Sequence, residues 1–192
     1  MKIKIIFKTL FVFLSLFSKS LSDEVEFESS KMDIKEDGKI IYAYNSKTNI
    51  PKENIYIISD KAKYNKIKKE ILFTENVIFV DRNNQLNIKG DKILYDINKD
   101  IIISYSDTYI EIENKYKIVS ETIFFNRQSK IVKSEKKTKV EDSFENIYLF
   151  RNNFKLNLNN ELVKSKNSEV IDNQNNRYFF EDTIIDLKNN QI

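Results

Sequence analysis

The stretch Ser59-Asp60-Lys61-Ala62-Lys63-Tyr64-Asn65 returns twice further along the chain in related form. It recurs as Gly90-Asp91-Lys92-Ile93-Leu94-Tyr95-Asp96 and again as Ser120-Glu121-Thr122-Ile123-Phe124-Phe125-Asn126. Each copy reads as a small residue, an acid, three further residues, an aromatic residue and then Asn or Asp, at spacings of 31 and 30 residues. Self-similarity at a fixed period is typical of folds assembled from one repeated supersecondary unit. The repeat therefore decides the architecture.

Turn-forming residues divide each unit into two segments. Polar clusters recur about every fifteen residues, as expected for two turns per unit; they are Asn65-Lys66, Asp81-Arg82-Asn83-Asn84, Asn98-Lys99-Asp100, Glu113-Asn114-Lys115, Asn126-Arg127-Gln128-Ser129 and residues 142–146. Asp37-Gly38 between two apolar runs predicts a hairpin turn. The segments between turns are rich in β-branched and aromatic residues, which favour strands.

The strands are long, and long strands in a meander twist and fold over. We therefore predict an all-β fold, an antiparallel β-jellyroll in which one taco-like sheet folds onto itself. A helix over residues 60–71 is the local alternative, because Ala62 and Lys63 favour one. The equivalent segment, residues 91–104, carries Ile97 and the run Ile101-Ile102-Ile103, so we assign strand to both copies.

The composition excludes several classes of activity. The chain has no Cys and no His, and only two Gly. Disulfides, thiolate chemistry, the commonest general base and Gly-rich phosphate loops are therefore absent. We expect no enzyme activity, no cofactor and no metal site. A glycosidase would need two apposed carboxylates in a cleft, which the sequence does not locate.

The first residues predict export. Lys2, Lys4 and Lys8 precede an apolar core at residues 10–17, and Ser20-Leu21-Ser22 offers a cleavage site. We interpret residues 1–22 as a signal peptide and residues 23–192 as one domain; an uncleaved interfacial helix is the alternative. Residues 1–22 contain four of the 32 basic residues and no acid, so the rest of the chain has 28 basic residues against 29 acidic ones. This balance gives no excess of basic residues that would indicate nucleic-acid binding.

The repeat resembles that of the organic-solvent-tolerance (OstA-like) family of lipopolysaccharide-transport proteins. Residues 60–65 and 91–96 match its first half, and Glu75-Asn76-Val77-Ile78-Phe79 matches its second half, with Glu75 where the family prefers Gly. The resemblance covers about residues 25–192. It implies a periplasmic β-jellyroll with an apolar groove for lipid A acyl chains. It also implies edge strands that pair with other lipopolysaccharide-transport proteins.

Within the family, the C-terminal stretch is similar to the N-terminal periplasmic domain of the outer-membrane LPS-assembly protein. Asn175-Asn176-Arg177-Tyr178-Phe179-Phe180, followed by Ile184-Ile185-Asp186-Leu187, carries that resemblance. It favours a piece of a longer protein, tethered to the outer membrane through a C-terminal barrel. A free soluble carrier is the alternative within the family. An exported structural or adhesive repeat protein without a lipid ligand is the alternative outside it.

Equivalent positions of the repeat provide candidate groove residues. Side chains two residues apart share one face of a strand, and the resulting candidates are Val77, Phe79, Thr108, Ile110, Ile112, Val140, Phe154, Leu156 and Leu158. The same pattern is also typical of an ordinary packed core. The repeat positions Asp60, Tyr64, Asp91, Tyr95, Glu121 and Phe125 are predicted to be structural, with the acids forming hydrogen bonds at turns or bends rather than a calcium ladder. Residues 25–34 and 178–187 are the predicted edges.

Overall fold

The computed structural model describes residues 25–189, which form one antiparallel sheet of thirteen strands. The strands are β1 (Glu26–Glu28), β2 (Lys31–Lys35), β3 (Ile40–Ile50), β4 (Ile55–Asn65), β5 (Glu70–Asp81), β6 (Leu86–Asp96), β7 (Ile101–Ile112), β8 (Tyr116–Asn126), β9 (Ile131–Ser134), β10 (Thr138–Asp142), β11 (Ile147–Asn157), β12 (Leu162–Ile171) and β13 (Arg177–Asp186), with a short 3₁₀ turn at Pro51–Glu53. The predicted signal peptide, residues 1–22, lies outside the described residues. The described part contains no helix with the length and hydropathy needed to cross a bilayer.

Consecutive strands are neighbours in the sheet, which makes it a meander. The order runs from β1 and β2, which both pair with β3, through to β13 at the other edge. β9 and β10 together take the place of one long strand between β8 and β11. The predicted all-β fold is confirmed. The helix alternative over residues 60–71 is wrong, because β4 runs to Asn65 and β5 begins at Glu70.

The Asn or Asp that ends each repeat motif caps a turn. The Asn65 side-chain oxygen accepts hydrogen bonds from the backbone N–H groups of Ile67 and Lys68, at 3.1 and 3.0 Å. The last turn residue, Lys69, then adopts a left-handed φ of 55°. An Asx side chain that substitutes for a backbone acceptor is a common way to start such a turn. Two strands and two turns of this kind account for the repeat period.

Turns at the same end of the sheet are hydrogen-bonded to one another. The N–H of Ile97 donates to the carbonyl of Lys69 at 2.9 Å, and the N–H of Glu113 donates to the carbonyl of Gln85 at 2.9 Å. Amide side chains repeat the link thirty residues apart: Asn98 Nδ2 donates to the carbonyl of Lys68 at 3.3 Å. These bonds join alternate turns into a continuous rim along each end of the sheet.

The long strands bend at their middle. Between Thr74 and Val77, β5 carries one residue more than β6, and the bulge residues Glu75 and Asn76 have left-handed φ values of 66° and 52°. β7 has an equivalent bulge next to Ser106, whose φ is 71°. A bulge of this kind bends a strand and increases its twist. The bulges lie side by side, so the whole sheet bends along one line, which we call the crease.

The bend folds the sheet completely onto itself. Phe79 is in register with Ile88, and Tyr95 lies seven residues further along β6, a distance of about 23 Å in a straight strand. The Phe79 and Tyr95 rings are nevertheless only 5.9 Å apart. The strand segments that adjoin turns 51–54, 82–85, 113–115, 143–146 and 172–176 form the upper half, and those that adjoin turns 36–39, 66–69, 97–100, 127–130 and 158–161 form the lower half. We call the two rows of turns, together with the strand ends that adjoin them, the lips.

Candidate functional site

The predicted groove residues all lie on or beside the face between the two halves. Eight of them are no more than 1% exposed: Val77, Phe79, Thr108, Ile110, Ile112, Val140, Phe154 and Leu156. Leu158 follows the end of β11 and packs, partly buried, against this core. The fold therefore brings together residues that are spread over more than eighty positions of the chain.

This interior is packed. The rings of Phe150 and Phe154 lie 5.0 Å apart, and Phe79, Tyr95 and Phe125 are fully buried. An acyl chain would therefore need the halves to move apart. The role of these side chains in lipid binding stays a prediction.

The six structural repeat positions divide between the two faces of the sheet. Tyr64, Tyr95 and Phe125 are buried between the halves, whereas Asp91 and Glu121 are exposed beside the crease. Asp60 lies beside them, and its Oδ2 accepts a hydrogen bond of 2.7 Å from Asn76 Nδ2 across the β5 bulge. Asp60 thus forms a hydrogen bond at the bend, and the structural role of the six positions stays a prediction.

Small hydroxyl residues line the inside of the crease. Ser120 Oγ shares a hydrogen bond of 2.9 Å with Ser134 Oγ and accepts one of 3.1 Å from Thr138 Oγ1. Ser104 Oγ and Thr108 Oγ1 share a bond of 2.7 Å. Close to a bend the two halves converge, so only small side chains fit, and buried hydroxyls must find partners there. The small first residue of the repeat was the sequence signal for this line of residues.

One arginine connects the two lips. Arg127 lies in the turn between β8 and β9 on the lower lip, and its side chain is only 3% exposed. Its Nε donates to Asp81 Oδ2 at 2.7 Å and its Nη1 donates to Glu53 Oε2 at 3.0 Å. Asp81 and Glu53 both belong to the upper lip. Arg127 also donates to the Asp100 carboxylate on its own lip.

The surroundings of Arg127 keep it charged. Burial lowers the pKa of its guanidinium, but the hydrogen bond and the negative charge of Asp81 outweigh burial, so the net shift is upward. Its Nη1 also donates to the Tyr95 hydroxyl at 3.2 Å. Burial raises the pKa of that hydroxyl, so Tyr95 is neutral at physiological pH. The result is one buried cation held by carboxylates from both lips.

A second contact crosses the lips further along the sheet. Tyr116 donates its hydroxyl to Glu161 Oε2 at 2.6 Å, and Lys115 Nζ lies 3.0 Å from Glu161 Oε1. The hydrogen bond from Tyr116 and the ion pair with Lys115 lower the pKa of Glu161 against the opposing effect of burial. This contact is more exposed than that of Arg127, since the Lys115 side chain is 47% exposed.

Sequence reasoning did not identify Arg127 or Glu161. Arg127 directly follows the third repeat motif, where Lys66 and Ile97 stand in the other copies. That difference is visible in the sequence. The partners of Arg127, however, are Asp81 and Glu53, which lie 46 and 74 residues away and belong to no local pattern.

The interior face is uncovered at both edges of the sheet. On β2, Met32 and Ile34 are in register with the buried Ala43 and Ile41, yet they are 40% and 62% exposed. On β13, Tyr178 is in register with the buried Val170 and is 45% exposed. A cavity of about 280 Å³ at that end is lined by residues of both halves, among them Tyr148, Val170 and Ile185.

A larger cavity lies away from the interior. It has a volume of about 730 Å³, extends from β7 to β13, and is lined largely by side chains of the outer face such as Val119, Lys139 and Phe179. Those side chains mix apolar groups with both signs of charge.

Comparisons with known proteins agree with this architecture. The family model for "LptA/(LptD N-terminal domain) LPS transport protein" matches residues 21–101. The solved structure of LptH from Pseudomonas aeruginosa, described as the LptA homologous periplasmic component of the lipopolysaccharide transport device, has a similar fold, with a TM-score of 0.51. The two sequences are 9% identical, and the match covers 56% of this chain and 79% of LptH. None of the curated proteins matches this chain in sequence.

Proposed function

We propose that this chain carries lipopolysaccharide across the periplasm for assembly in the outer membrane, because the model of the LptA and LptD N-terminal-domain family of LPS transport proteins matches its residues 21–101. The acyl chains are sheltered between the two halves of the folded sheet. The family is one of transport proteins, and no catalytic step or cofactor enters the proposal.

The observation that carries the proposal is an apolar interior that runs across the sheet and is uncovered at both edges. Each CH₂ group that leaves water contributes about 0.8 kcal/mol, so an acyl chain of about twelve carbons gains roughly 10 kcal/mol. A gain of that size can offset the loss of contacts between side chains such as Phe79 and Tyr95 when the halves move apart. The same side chains then line the acyl chain.

The edges provide the docking sites for neighbouring transport proteins. β13 at one edge carries Phe179 and Ile184, which are 69% and 59% exposed. β1 and β2 occupy the other edge. An edge strand presents unpaired backbone groups to which a partner strand can add. We propose that other lipopolysaccharide-transport proteins extend the sheet at β1/β2 and at β13.

Photo-crosslinking tests where the lipid lies. Benzoylphenylalanine placed at Phe79, on the interior face, should crosslink to purified lipopolysaccharide. The matched control is the adjacent Ile78, which is 38% exposed on the outer face of the same strand and should not react. Equal labelling at the two positions, or none at Phe79, would contradict the proposal.

The export signal and the membrane tether are also part of the proposal. Residues 1–22 are removed on export, and a segment beyond the jellyroll holds the domain at the outer membrane. Support for the tether comes from the resemblance of residues 175–187 to the LPS-assembly protein. N-terminal sequencing of the natural protein and its recovery with outer membranes test these two points; recovery with periplasmic contents would favour the free carrier instead.

A further inference from the structure

We propose that Arg127 is a latch that holds the lips of the folded sheet closed, and that it must release before an acyl chain can enter between the halves. This inference rests on the proposed lipid-binding function.

Arg127 is fixed to its own lip before it reaches the other. Its backbone N–H donates to the carbonyl of Asp100 at 3.1 Å, and its guanidinium donates to the Asp100 carboxylate and the Tyr95 hydroxyl. On the upper lip, its guanidinium donates to the Asp81 carboxylate at 2.7 Å. It also donates to the carboxylate and to the backbone carbonyl of Glu53, at 3.0 and 3.1 Å. The lips therefore cannot part unless the guanidinium leaves one side.

The lips are where the halves can separate. Each long strand continues through the crease, so the halves stay joined on that side, whereas at the lips they are connected by side chains. The Arg127–Asp81 pair is 3% and 0% exposed, and the Lys115–Glu161 pair is 47% and 21% exposed. An exposed ion pair contributes little, so the second contact depends mainly on the single hydrogen bond from Tyr116 to Glu161. Arg127 bonds to both Asp81 and Glu53 and is therefore the main connection between the lips.

An ionic latch can open reversibly. Burying Arg127 and Asp81 removes both from water, and this desolvation largely cancels their attraction. When the lips part, both ions are hydrated again. Opening therefore costs much less free energy than leaving one of the two ions buried without its partner. A seal of apolar side chains would lack this compensation. The latch therefore keeps the interior dry without closing it permanently.

A crosslink across the lips tests the latch. The chain has no native Cys, so Glu53→Cys with Asp100→Cys introduces one thiol on each lip while the buried Arg127–Asp81 pair remains. A short, reducible bis-maleimide then joins the thiols. The matched control joins Asn54→Cys and Asn83→Cys, which lie on the same lip with Asn54 Nδ2 donating to Asn83 Oδ1 at 3.1 Å.

Binding of lipopolysaccharide is measured by displacement of cis-parinaric acid from residues 23–192. We expect the crosslink across the lips to weaken binding at least tenfold, reduction of the linker to restore it, and the same-lip crosslink to leave it unchanged. Unchanged binding with the lips joined would overturn the latch while leaving the proposed function intact. No binding by any form, including the unmodified chain, would overturn both.

A second variant releases the latch without leaving a buried charge. Asp81→Asn with Arg127→Met removes both ions of the central pair, and circular dichroism checks that the sheet remains. We expect the association rate of cis-parinaric acid to rise at least fivefold. An unchanged or lower rate in a folded protein would overturn the latch.

Discussion

At the scale of single residues, Thr48 buries a hydroxyl that the fold does not use. The residue is 0% exposed, and its Oγ1 has no hydrogen-bond partner within residues 25–189. A buried unpaired polar group costs about 1–3 kcal/mol, and Val has nearly the same shape as Thr. Thr48→Val should therefore raise the free energy of unfolding by about 1 kcal/mol in urea titrations.

Ser120→Ala is the control for Thr48→Val, because the Ser120 hydroxyl is fully bonded to Ser134, Thr138 and the carbonyl of Lys137. It should lower the free energy of unfolding by about 1 kcal/mol. A stability loss in Thr48→Val similar to that in Ser120→Ala would show that Thr48 does have a partner.

Glu161 should make the closure of the lips sensitive to acid. The Tyr116 hydroxyl, with Lys115, holds the pKa of Glu161 below its ordinary value of 4.5. A carboxyl with a depressed folded pKa stabilises the protein above its unfolded pKa, and the contribution is lost as pH falls through the folded pKa. Tyr116→Phe should therefore be less stable than the wild type at neutral pH, and the difference should shrink below pH 4.5.

Urea unfolding across that pH range measures the difference between Tyr116→Phe and the wild type. The same comparison in a Glu161→Gln background is the control and should show little pH dependence. A gap between Tyr116→Phe and the wild type that stays constant from neutral pH to about pH 3 would rule out Glu161 as its origin.

At the scale of elements, the repeat motif could be interpreted from the sequence because each position has one local task. In the first copy, Ser59 lies inside the crease, Asp60 bonds at the bend, Tyr64 fills the interior and Asn65 caps the turn. Turn positions and strand lengths follow from the same local rules.

The sequence left one local feature undecided: Glu75 stands where the family prefers Gly. Its backbone is left-handed all the same, with a φ of 66°. That conformation costs an L-residue about 1–2 kcal/mol, and Gly adopts it freely. The bulge is therefore imposed by its neighbours in the sheet.

Glu75→Gly and Glu75→Ala separate backbone strain from side-chain loss. Both variants remove the exposed ion pair in which Lys61 Nζ lies 2.7 Å from Glu75 Oε1, and only Gly relieves the strain. We expect Glu75→Gly to be about 1 kcal/mol more stable than Glu75→Ala in thermal or urea unfolding. Equal stability would mean that the bulge residue is not strained.

At the scale of the whole molecule, the closure of the sheet could not be predicted from the sequence. The turn 127–130 of the lower lip contacts Glu53 in one upper turn and Asp81 at the start of the next, so the halves are offset along the sheet. Nothing in the repeat encodes that offset, because it results from the twist accumulated over several strands. The sequence therefore predicts the interior residues but not the contacts that close over them.

The offset sets a minimum length for a closed domain. A chain that ends at residue 126 keeps β1 to β8 but lacks Arg127, so the fully buried Asp81 loses its counter-ion and keeps only its hydrogen bonds from Asn83 and Asn84. An unpaired buried charge costs about 3–5 kcal/mol, a large part of a typical domain stability of about 5–15 kcal/mol.

A chain that ends at residue 142 keeps Arg127, β9 and β10. We expect the longer chain to unfold cooperatively on heating and the shorter one to show no cooperative transition. Asp81→Asn should restore part of the transition to the shorter chain, because it removes the charge that lost its partner. Identical melting of the two truncated chains would show that closure does not depend on the turn that carries Arg127.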